Sequence, residues 1–169
     1  MDFSRLNPTR TIVGGIASAT LILSLFFLPW YSVESNPQRV ADSPDYNPES
    51  FICGEGDFDC TGWETFPILR WLLLLAALAP PILAWILIRG HKLSWAPGEL
   101  TMVAGFAALV LIAYNGLLDR PGTATAEIGI TLDIGYYVAL VASAAIAATG
   151  FTRSVESGGR KARKAPGTV

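Results

Sequence analysis

Four apolar stretches, at residues 12–31, 66–89, 100–118 and 129–151, punctuate the chain. About 20 apolar residues rise roughly 30 Å as α-helix, the thickness of the hydrocarbon layer of a bilayer, so each stretch is long enough for one crossing. Between and around them lie a short amino-terminal segment (1–11), a long first connection (32–65), two brief connections (90–99 and 119–128) and a carboxy-terminal tail (152–169). The pattern predicts an all-α membrane protein, a four-transmembrane-helix antiparallel bundle whose long first loop is extracellular. The first stretch is too long for the apolar core of a secretory signal, and no small-x-small site follows Trp30, so it reads as an uncleaved anchor. Trp30 and Tyr31 close it in the manner of interfacial aromatics.

Composition agrees with this picture: 51% hydrophobic and 15% charged residues, with a mean hydropathy of +0.43, are membrane values. Charge adds orientation. The formal net charge of −2 conceals a segregation in which Trp30 to Glu64 carries Glu34, Asp42, Asp45, Glu49, Glu55, Asp57, Asp59 and Glu64 against the single base Arg39. With both ends inside, Arg5, Arg10, Arg89, Lys92, Arg153, Arg160, Lys161, Arg163 and Lys164 fall on the inner side, leaving Arg39, Arg70 and Arg120 outside. Such a bias over short loops predicts a multi-pass protein of the cell membrane with cytoplasmic N- and C-termini, a bacterial plasma membrane being the favoured setting. The tail, rich in Gly, Ser and bases, is expected to lack structure. Its Arg160, Lys161, Arg163 and Lys164 suit anionic lipid headgroups, at about 1 kcal/mol per base.

Inside the spans, small residues carry the packing signal. Gly135, Ala139, Ser143 and Ala147 recur every four residues on one face of the fourth span, a ladder that admits a second backbone at close range. Whether that backbone belongs to the same bundle or to another protein is not decided by the spacing. Gly14, Gly15, Ser18 and Ala19 give a weaker version in the first span. Pro80-Pro81 in the second span predicts a kink. Asn115 is placed to bond a neighbouring helix, worth about 0.6 to 2 kcal/mol. Arg70 and Asp133 each lie about one turn inside the outer end of a span, and the expectation is an interfacial ion pair between them.

Candidate chemistry is sparse. Two cysteines and one histidine, His91, cannot assemble a zinc site of four cysteines or of two cysteines and two histidines, and His91 has no second histidine with which to share a catalytic metal. No phosphate-binding loop, nucleophile elbow, zinc-protease or dinucleotide motif occurs, and six residues separate Cys53 from Cys60, so a C-x-x-C redox pair is absent. The expectation is a non-catalytic chain without cofactor, resident metal or nucleic-acid partner. Gly54 and Gly56 permit a reversal that brings Cys53 to Cys60, and on an oxidising face a disulfide there contributes about 2.5 kcal/mol, pinning the hairpin of the first loop. Within that ring Glu55, Asp57 and Asp59 alternate, a possible cation-binding set by ligand type although not by the spacing of a calcium loop.

The order of spans, a larger first outer loop, Trp30 at the end of the first span and two cysteines in the loop make a layout that resembles the claudin arrangement between Trp30 and Cys60. The Gly-Leu-Trp element of that family is missing: Glu49-Ser50-Phe51-Ile52 precedes Cys53, and Gly62-Trp63 follows the second cysteine. The functional expectation is an accessory or assembly component of a larger membrane complex. Its partners would be membrane lipids and another membrane protein, or a second copy, met through the fourth span and the first loop. A transport or channel component whose pore forms on oligomerisation, and an adhesive or sensing role for the first loop, are the alternatives.

Overall fold

The structure, a computed structural model, describes residues 8–34, 59–89, 97–118 and 129–162. In chain order the elements are α1 (Pro8–Phe27), β1 (Pro29–Glu34), β2 (Asp59–Thr61), α2 (Gly62–Thr65), α3 (Leu69–Ile88), α4 (Pro97–Leu117), β3 (Gly129–Leu132) and α5 (Ile134–Ala162). Four segments, Thr9–Phe27, Leu69–Ile88, Gly98–Leu117 and Ile134–Val155, are helices long and apolar enough to cross a membrane, the mark of a multi-pass membrane protein.

The helices form a ring in which α1 packs on α3 and α5, and α4 on α3 and α5. Leu21, Leu25, Leu73, Ile112 and Ile146 fill the space between them and are buried. The closest pairing joins α4 to α5. On α4 the residues Gly98, Thr101, Gly105, Ala108, Ile112 and Gly116, spaced by threes and fours, are all buried. A Cβ on Gly105 would stand 2.8 Å from the Ala147 Cα, and one on Gly150 would stand 2.7 Å from the Met102 Cα, so the two backbones touch. The ends of α1 and α5 are matched in opposite order. Arg10 and Thr11 of α1 bond Thr152 and Arg153 of α5, whereas Ser24, a few turns later, bonds Gly135 at the start of α5.

The expectation of an all-α chain needs correction, because a three-stranded antiparallel sheet, ordered β2-β1-β3, caps one end of the ring. Residues 29–31 are not the end of the first span and residues 129–132 are not the start of the fourth. Both are strands, paired Tyr31 to Leu132, Ser32 to Thr131 and Val33 to Ile130. Pro29 explains the first boundary, since a proline disfavours helix at the residue before it, and α1 stops at Phe27. A short strand beside an apolar helix simply lengthens the apolar run, so hydropathy alone merges the two. The tail also differs from expectation: α5 continues to Ala162. Helix α3 runs through Pro80 and Pro81 without ending.

Candidate functional site

The capped end is built around Trp30. Its pairing with β2 is irregular between Pro29 and Tyr31, an insertion of the kind that lets two consecutive side chains turn the same way. Trp30 and Tyr31 are both 0% exposed. They are core residues rather than the interfacial anchors their position suggests. The indole N–H of Trp30 donates to the Ser24 carbonyl at 3.0 Å, and the Ser24 hydroxyl donates in turn to the Gly135 carbonyl at 2.6 Å. Two glycines make room for the ring. A Cβ on Gly62 would lie 2.6 Å from its Cε2 atom, and one on Gly135 would lie 2.7 Å from its Cδ1 atom. Phe66 and Tyr136 present their edges at centroid distances of 6.3 Å. One side chain thus joins α1, the approach to α3 and the start of α5.

Above this cluster the sheet carries the polar groups. The Ser32 hydroxyl lies 2.7 Å from Asp133 Oδ2 and 3.0 Å from Asp59 Oδ1. A hydroxyl has one proton, so it donates to one carboxylate at a time. Asp133 also accepts the Ile134 N–H at 2.6 Å, and its backbone carbonyl accepts the Tyr136 N–H, which makes it the cap of α5. These bonds, the Ser32 hydroxyl first, hold its carboxyl below the ordinary carboxylate range against a smaller opposing effect of burial. Thr61 and Glu64 cap α2 reciprocally: the Thr61 N–H donates to the Glu64 carboxylate at 3.1 Å while the Thr61 Oγ1 accepts the Glu64 N–H. Both caps were readable, as an aspartate before an apolar run and as Thr-x-x-Glu, and both are missed when every polar residue between spans is read as loop.

The expected Arg70–Asp133 ion pair is not formed; each residue has other partners. Arg70 donates to the Trp63 carbonyl at 3.2 Å, and its guanidinium lies over the rings of Trp63 and Trp71 at 4.9 and 5.8 Å. Its Nε is buried without a hydrogen-bond partner. The charge therefore sits among aromatic faces, and the capping role holds Asp133 elsewhere. Asn115 likewise turns back to its own helix, donating to the Leu111 carbonyl at 2.8 Å, and it is its backbone carbonyl that receives the Tyr31 hydroxyl.

The ladder of the fourth span is brought together, but inside the chain. Gly135, Ala139 and Ser143 are buried and Ala147 backs on to Gly105, so this face is already occupied by the bundle itself. A different surface is open: a groove of about 480 Å³ between α1 and α5, lined by Val13, Ile16, Thr20, Tyr137, Val141 and Ala145 among others. Of the expected disulfide, Cys60 is buried in β2, Cys53 lies outside the described residues, and no cysteine is free among the described residues. Glu55 and Asp57 also lie outside them, whereas Asp59 is described and exposed. No cluster of three or more potential metal ligands occurs among the described residues. Arg160 and Lys161 fall on the last turn of α5, their side chains outside the description together with Arg163 and Lys164. No protein family, curated protein or solved structure matches the chain.

Proposed function

We propose that the chain is a non-catalytic accessory or assembly component of a larger membrane complex. It is an antiparallel bundle with both termini in the cytoplasm, and its sheet end and Cys53–Cys60-pinned loop lie outside the cell. The observation that carries the reading is the α1–α5 groove. Ile16 and Val141 are 62% and 71% exposed there, and the lining is apolar along more than two turns of both helices. Such a furrow at membrane depth accepts one apolar helix of a partner, seated by packing rather than by polar bonds. It replaces the Gly135 ladder as the contact surface, since that ladder is consumed within the chain. The opposed matching of α1 and α5 supports the antiparallel arrangement, and the arginines Arg10, Arg89 and Arg153 gathered away from the sheet support the orientation. Cys60 is buried and is not a free thiol, which supports the disulfide.

The test is affinity purification from native membranes in a mild detergent, followed by mass spectrometry. Recovery of a stoichiometric membrane partner is expected, with loss of that partner when Ile16→Trp and Val141→Trp fill the groove while the protein remains inserted. Both positions are exposed, so the fold tolerates the larger rings. A chain recovered alone or only as a homo-oligomer, or selective flux through the purified protein in liposomes, would sink the reading.

A further inference from the structure

At the end of the bundle away from the sheet, all four spanning helices line a cavity of about 230 Å³. Its two sides differ in chemistry. One is polar and cationic: Arg153 lies in the wall with Thr149 and Thr101, and its guanidinium donates to the Thr11 hydroxyl, also in the wall, at 2.9 Å. Arg10, on the adjoining turn of α1, donates to the Thr152 carbonyl at 3.1 Å and stands within Coulombic reach of Arg153. The other side, supplied by α3, is Pro80, Pro81, Ala84, Trp85 and Ile88. Arg89 lies over the Trp85 ring at 4.7 Å, which brings a third cation to the rim. Among the described side chains Glu99 is the one acid at this end, and it is exposed.

Opening and shape add to the charge. Pro81 and Trp85 are exposed, so the cavity opens sideways between α1 and α3, towards lipid. A Cβ on Gly15 would meet nothing within 4 Å, whereas one on Gly14 would meet Thr149 and Pro80 in ordinary contact. The space is thus open at Gly15 and in contact with the wall at Gly14. Arginine forks match phosphate oxygens in pairs, and basic pockets between spans suit anionic headgroups. We propose that this cavity binds an anionic phospholipid. Arg153 and Arg10 face its phosphate, and the Pro81–Trp85 wall of α3 takes the glycerol and first acyl carbons. The cavity's apolar half selects a lipid over free phosphate.

The experiment uses the purified full chain in a neutral detergent and follows thermal unfolding during titration with short-chain phosphatidylglycerol. Phosphatidylcholine of the same chain length and inorganic phosphate are the other two arms. Stabilisation by phosphatidylglycerol alone is expected. Gly15→Leu should abolish it by filling the open space beside Gly15, Gly14→Ala should keep it, and Arg153→Gln should weaken apparent binding roughly five- to tenfold, the effect of one close charge. Because Arg153 also ties α1 to α5, Gly15→Leu is the deciding variant if Arg153→Gln does not fold. Three outcomes overturn the proposal. Equal stabilisation by phosphatidylcholine removes the cationic side, and stabilisation by inorganic phosphate alone makes the site one for the free anion. Stabilisation that persists in Gly15→Leu places the lipid elsewhere, for example on the basic tail.

Discussion

Trp30 shows how a single residue fixes the capped end. It is 0% exposed, its N–H is satisfied by Ser24, and its ring lies between Gly62 and Gly135. Trp30→Ala removes a large buried ring and leaves a cavity, at a cost of about 3–5 kcal/mol. Denaturant unfolding in detergent should show a loss in that range; a loss below about 1 kcal/mol, the scale of an exposed interfacial aromatic, would restore the anchor reading. Asp133 offers a second test through pH. Its folded pKa lies below the unfolded value of about 3.9, so its contribution is complete above that pH and is lost as pH falls through the folded value. Thermal midpoints measured from pH 6 down to pH 3 should therefore fall more steeply for the wild type than for Asp133→Asn. Parallel curves would show that Ser32 and Ile134 do not hold the carboxylate in solution.

Between elements, the contrast of two glycines separates contact from mere helix. On α4, a Cβ at Gly105 would press on backbone atoms of Ala147 and Ile146, which cannot rotate aside. Gly105→Ala should destabilise by about 1–3 kcal/mol through overpacking. On α1, Gly15 has no neighbour within 4 Å of the same position, so Gly15→Ala should stabilise by about 0.5–1 kcal/mol through helix propensity. Matched unfolding curves check the opposite signs; a Gly105→Ala that stabilises would mean that α4 and α5 are not in backbone contact, and a Gly15→Ala that destabilises would mean that Gly15 has a neighbour in the membrane. The α5 ladder was legible because small residues repeat every four positions. Its partner face on α4, Gly98, Thr101, Gly105 and Ala108, is harder to recognise in the sequence, because the spacing alternates between three and four.

Across the whole molecule, the sheet ties together parts of the chain that hydropathy treats as unrelated segments. Strand β1 pairs with β2 from the first connection and with β3, which hydropathy merges with the fourth span, so α1, α3 and α5 are held at one end by the same hydrogen bonds. The proposed Cys53–Cys60 bridge closes only a short ring on this frame, and its loss should cost about 2.5 kcal/mol locally. Reduction is expected to expose new protease cuts between residues 35 and 58 while the four helices stay folded by circular dichroism. Alkylation of Cys60 without a reductant would rule out the bridge.

The sequence by itself determined the number of spans, their order and the segregation of charge. These depend on transfer of whole segments from water to lipid, and that free energy is summed residue by residue along the chain. It also marked the positions at which backbones approach, since only small side chains permit such contact. The tertiary structure decided which polar and aromatic groups meet. Trp30 became core rather than anchor, Asp133 a helix cap rather than the partner of Arg70, and the Gly135 ladder an internal seam rather than an outer surface. Each of those outcomes depends on a pairing between residues distant in sequence, above all β1 with β3. Hydrogen bonds of that kind leave no trace in local hydropathy, because the strands are short, and residues 29–31 of β1 and all of β3 are uncharged and adjoin apolar helices.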